Sequence, residues 1–116
     1  MISALIPQQW EVWLVKFEYD DCPGVKKNRP AIVFDSSKLE CIALKVTGHL
    51  PRDCYDYSIV EWGYAGLDKS SCVRINHSLA LDNRDFIFKI GRLHPKDISG
   101  LVALIEKVTD GKPDII

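Results

Sequence analysis

The sequence predicts a mainly β domain, a small curled antiparallel barrel with one helix at its C-terminal end. Three observations lead there. Six short stretches are rich in β-branched and aromatic residues. Clusters of Gly, Pro, Asp and Ser separate them. After Pro95 the apolar spacing changes to the i, i+3, i+4, i+7 pattern of a single helix, with no internal repeat before it.

The chain has 116 residues, 47% of them apolar, which suits one domain spanning 1–116 with a sizeable core. A formal net charge of −1 excludes coating of nucleic acid through bulk charge. A nucleic-acid site must come from a local cluster of Lys and Arg. No run is long enough to cross a membrane, and Ala4-Leu5-Ile6 is too short for a secretory signal. Cys22, Cys41, Cys54 and Cys72 form no C-x-x-C and no zinc-type Cys/His spacing. These features read as free thiols in a reducing cytoplasm, with no metal and no cofactor.

Met1 to Gln9 is a lead-in. Glu11 to Phe17 is the first strand, with Val12 and Leu14 on one face and Trp13, Val15 and Phe17 on the other. Apolar residues on both faces predict a central or curling strand. Glu18 to Asn28 is a long polar loop. Arg29 to Phe34 and Leu39 to Thr47 are the second and third strands, joined by Asp35-Ser36-Ser37-Lys38. Pro30 suits the start of its strand. Gly48 to Asp56 is a second loop, Tyr57 to Trp62 a fourth strand, Ser71 to Asn76 a fifth and Phe86 to Ile90 a sixth. The helix starts at Pro95 with His94 as its cap and Asp97 in its first turn. Ile98, Leu101, Val102, Ile105 and Val108 make its buried stripe. Gly100 interrupts it at a cost of about 1 kcal/mol relative to Ala.

In an antiparallel hairpin the start of one strand lies beside the end of the next. Arg29 and Thr47 are therefore expected at one end of the second hairpin, with Lys26, Lys27 and His49 nearby. Lys45 shares the face of Thr47, and the following loop carries Arg52 and Tyr55. Two readings of Arg29 stand: a surface cation paired with Asp20, Asp21 or Asp53, or a fork that grips a phosphoryl oxygen. Lys26, Lys27, Lys45 and Arg52 read either as solvated charges or as phosphate contacts. Tyr55 reads either as core or as a stacking platform. No nucleotide-loop, nucleophile-elbow or H-E-x-x-H motif is present.

Several runs in combination resemble the MazF/PemK toxins of bacterial toxin–antitoxin pairs. They are Val12-Trp13-Leu14-Val15-Lys16-Phe17, Lys27-Asn28-Arg29-Pro30-Ala31-Ile32-Val33, Thr47-Gly48-His49, Ala65-Gly66-Leu67 with Ser70-Ser71-Cys72-Val73-Arg74, and Ile90-Gly91-Arg92-Leu93-His94-Pro95-Lys96-Asp97. The resemblance runs in family order over about residues 10–108. It implies an SH3-like barrel and a homodimer that binds single-stranded RNA across the dimer face. The implied reaction is metal-free cleavage by the ribose 2′-OH, leaving a 2′,3′-cyclic phosphate and a 5′-OH, with a cognate antitoxin as partner. By position, the family's catalytic Arg and Thr correspond to Arg29 and Thr47. His49, an imidazole two residues past Thr47, is a secondary acid/base candidate. Many members begin the first strand with Gly-Asp, where this chain has Trp10-Glu11, and carry a further Arg where this chain has His77 to Leu81. The alternative is a barrel of the same fold that binds RNA, antitoxin or gyrase without catalysis.

Overall fold

The computed structural model describes residues 6–18, 24, 26–36 and 41–110. Their strands are β1 (Glu11–Glu18), β2 (Lys26–Asp35), β3 (Cys41–Thr47), β4 (Asp56–Ser58), β5 (Cys72–Leu81) and β6 (Phe86–Arg92). The helix α1 spans Pro95–Asp110. The strands form one antiparallel sheet in the order β4-β5-β3-β2-β1-β6.

Both faces of the sheet are covered, as the two-sided apolar pattern of β1 predicts. Val12, Ile32, Leu44, Val46 and Val73 pack under Leu93 and Leu101 on the helix side. Trp13, Val15, Ala31, Val33, Ala43, Leu79 and Leu81 form a second cluster on the opposite face. Ile98 and Ile105 of the helix stripe pack against the first cluster. The sheet is not closed as a barrel. The segment after β4 instead leans on β6, and the Ala65 carbonyl approaches Gly91 so closely that a Cβ there would collide with it.

Four element boundaries differ from the sequence expectation, each for a physical reason. β1 and β2 pair as far as Glu18–Lys26, so the first loop is shorter than predicted. Part of that loop, including Asp20 and Asp21, lies outside the described residues, as do Leu39 and Glu40. β4 stops at Ser58 because the Val60 and Glu61 amides donate to the Asp97 carboxylate, at 2.9 and 2.8 Å, not to a neighbouring strand. β5 continues to Leu81, with Leu79 and Leu81 buried and Ser78 and Ala80 exposed. Its register slips between Lys45–Arg74 and Leu44–Ser78, and this bulge hides the continuity from a simple period-two count. β6 runs on to Arg92, through Gly91.

Two carboxylates fasten the ends of the sheet. Glu11 accepts from the Trp13 indole at 2.8 Å and the Gln8 amide at 2.9 Å, and pairs with Lys89 at 3.0 Å. Asp97, fully buried, also accepts the Tyr57 hydroxyl at 2.8 Å. Burial and this bond push the Tyr57 phenol well above its ordinary pKa, so it stays a donor. Cys41, Cys54 and Cys72 are free thiols. Burial, with the nearby Asp35 charge, raises the Cys41 pKa. Cys22 lies outside the described residues.

Candidate functional site

A cavity of about 320 Å³ opens where β2 begins, β3 ends and β5 begins. Hairpin register builds it. Ala31–Lys45 is the last pair of the β2–β3 ladder at that end, with Arg29 two residues before Ala31 and Thr47 two residues after Lys45. Both residues line the cavity, with Lys45, His49 and Arg52. Arg29 is exposed and Thr47 half-buried. The Thr47 Oγ1 accepts the His49 amide N–H at 3.3 Å, which leaves its own proton free to donate elsewhere.

The loop from β3 to β4 is tied at its far end. Asp56 Oδ2 accepts the Arg52 amide at 2.8 Å, and the Tyr55 amide donates to Asp53 Oδ1 at 2.9 Å. Among the sequence candidates, Lys27 and Tyr55 do not line the cavity. Tyr55 is half-buried, and its carbonyl accepts the Ile75 amide at 2.9 Å. Lys26 belongs to β2 by its backbone, and its side chain lies outside the description.

Four polar wall residues are absent from the sequence candidates for the site: Asp68, Lys69, Ser71 and Arg74. Arg74 carries a legible signal, because a cation between Val73 and Ile75 inside an apolar strand needs a partner. That partner is Asp56. The Arg74 Nε and Asp56 Oδ1 face each other at 3.5 Å, with side chains 7% and 1% exposed. Neither of these atoms makes a hydrogen bond, so the contact is a buried ion pair without directional support. Lys69 lies beside the Ser70 to Arg74 run of the resemblance but outside it, and only the fold brings that segment into the cavity wall with Thr47. Five basic side chains, Arg29, Lys45, Arg52, Lys69 and Arg74, line the cavity with one acid, Asp68, and Arg74 is paired with Asp56. In a chain of net charge −1 this local cluster of Lys and Arg suits an anionic polymer.

By sequence, no family model and no curated protein matches the chain. By structure, the Mycobacterium tuberculosis toxin MazF-mt6 is similar over 86% of this chain and 96% of its own, with a TM-score of 0.68 at 15% identity. The chain has a MazF-like fold. An endoribonuclease from a mycobacterial species shares the MazF-like fold with a TM-score of 0.68 at 10% identity, covering 93% of this chain and 94% of that one. A mycobacterial endoribonuclease solved in complex with its cognate antitoxin gives a TM-score of 0.68 at 10% identity, covering 90% and 95%. Among the described residues, this MazF-like chain has no helix long and apolar enough to cross a membrane.

Proposed function

We propose that this chain is a toxin-type endoribonuclease that cuts single-stranded RNA without a metal. The observation that supports the reading is that Arg29 and Thr47 line the same cation-rich cavity. The ribose 2′-oxygen attacks the adjacent phosphorus, forming a new O–P bond as the bond to the 5′-oxygen breaks. The products are a 2′,3′-cyclic phosphate and a 5′-OH. Negative charge grows on the non-bridging oxygens, where the Arg29 guanidinium and the Thr47 hydroxyl stabilise it. A guanidinium is a poor base, so Arg29 does not take the proton. A proton leaves the 2′-OH and another reaches the 5′-oxygen, with His49 or water as the carrier. Lys45 and Arg52 hold flanking phosphates from the cavity wall. Lys26, Lys27 and Tyr55 meet the strand beyond it. The protein works in the cytoplasm as a homodimer, and a cognate antitoxin binds it; a neighbour of the same fold was solved in complex with its own antitoxin.

Incubation with mixed-sequence single-stranded RNA in EDTA tests this, with end-group analysis of the products. Cyclic phosphate ends are expected, and Arg29→Ala or Thr47→Ala should lower kcat by about 100- to 1000-fold. Intact RNA, or unchanged cutting by Arg29→Ala, overturns the reading. RNA that is bound and left uncut selects the non-catalytic binding alternative.

A further inference from the structure

We infer that Lys69 is a phosphate-contacting residue of the cavity, admitted to it by the missing side chain of Gly48. The inference rests on reading the cavity as an RNA site and adds a residue that neither the hairpin nor the resemblance supplies.

Gly48 follows Thr47 directly, and its backbone does not explain why it is glycine. Among the described residues the glycines with left-handed φ are Gly24 and Gly66, not Gly48. The space around Gly48 gives a better reason. A Cβ there would run into the Lys69 side chain at Cε and stand 2.9 Å from its Nζ. The Lys69 stem therefore lies across the Gly48 backbone and delivers its ammonium to the segment that carries Thr47. Both residues line the cavity.

The base of Lys69 is fixed. The hydroxyl of Ser71, a buried residue, donates to the Lys69 carbonyl at 2.9 Å, and the Ser71 carbonyl accepts the Ile59 amide at 3.0 Å. Among the described residues, no carboxylate forms an ion pair with the Lys69 ammonium. A compact cation, anchored at its root and laid over the strand end, is placed to meet a phosphate oxygen as a point charge. Arg29 comes from the other strand of the hairpin, so the two cations enter from different elements.

Salt dependence reads this directly. Each phosphate contact to a single strand contributes about 0.7 to the slope of log affinity against log salt. The probe is a mixed-sequence pool of 2′-O-methyl RNA oligonucleotides, which lack the nucleophile and stay uncut. Affinity is measured across a salt series for the wild type, Lys69→Met, Gly48→Ala, the double variant, Lys69→Arg and the helix control Lys107→Met. Lys69→Met should reduce the slope by about 0.7, and Gly48→Ala, which moves the flexible end of the lysine from this position, should reduce it by part of that. The double variant should match Lys69→Met, Lys69→Arg should restore the slope, and Lys107→Met should keep it. If Lys69→Met does not fold, Gly48→Ala and Lys69→Arg carry the comparison.

A wild-type slope in Lys69→Met, or additive losses in the double variant, overturns the inference and leaves the nuclease reading standing. A wild type that binds the pool with the expected slopes but does not cut RNA overturns the nuclease reading and leaves Lys69 in place. A wild type that does not bind overturns both.

Discussion

The Tyr57 hydroxyl donates to the Asp97 carboxylate at 2.8 Å, linking residues 40 positions apart in the chain. Asp97 sits in the first turn of α1, and the same carboxylate accepts the Val60 and Glu61 amides. The next residue back from Tyr57 in β4 is Asp56, which pairs with Arg74 of the cavity wall. One short strand thus ties the helix on one side and the candidate site on the other.

Replacing Asp97 by Ala leaves three donors unmet, each at about 1 to 3 kcal/mol when buried. Tyr57→Phe removes only one bond, worth about 1 kcal/mol. Urea unfolding should rank Asp97→Ala well below Tyr57→Phe in midpoint, with both below the wild type. Equal midpoints for the two variants would show that the amide bonds contribute nothing.

Gly100 gives a sign test. Helix propensity alone says Gly100→Ala should stabilise α1 by about 1 kcal/mol. The structure predicts the reverse, because a Cβ at 100 would stand 2.5 Å from the Tyr57 hydroxyl and 2.7 Å from its ring. Gly100→Ala should lower the Tm of the wild type and raise that of Tyr57→Ala, where the obstruction is gone. A gain in both backgrounds would disprove the close approach.

Trp10 occupies a conformation that favours glycine, with φ 71°. It is held there by its amide on the Val33 carbonyl at 2.7 Å, its carbonyl on the Leu93 amide at 2.9 Å, and an edge-to-face contact with Phe34. This is the position where the family resemblance leads one to expect glycine. Removing the indole should therefore destabilise less when glycine replaces it than when alanine does, by about 1 kcal/mol, the inverse of the usual order. Denaturant melts of Trp10→Gly and Trp10→Ala read the difference. An Ala variant at least as stable as the Gly variant would count against strain at this residue.

Glu11 sets part of the acid limit. Burial raises its carboxyl pKa, but the Trp13 indole, the Gln8 amide and the Lys89 ammonium outweigh that and hold it below the ordinary 4.5. A folded-state pKa below the unfolded one gives stability that is fully present above pH 4.5 and drains away as pH falls through the folded value. Glu11→Gln should lower stability at neutral pH and flatten the acid side of the stability curve below pH 4.5. Parallel curves for the two proteins would rule this linkage out.

Local pattern carried the placement of the strands and the buried stripe of α1. Antiparallel geometry led from there to Arg29 and Thr47 at one end of the hairpin, and both line the cavity. Side-chain periodicity reports which face a residue is on, and that is a property of neighbours in sequence. It does not report what a distant segment lays against that face. Asp97 as a three-donor acceptor, Gly100 as a space for Tyr57, Arg74 beside Asp56 and Lys69 over Gly48 all depend on how the sheet curls and where its loops return. Tertiary structure alone decided those, because each is a contact between segments whose separation along the chain leaves no periodic trace.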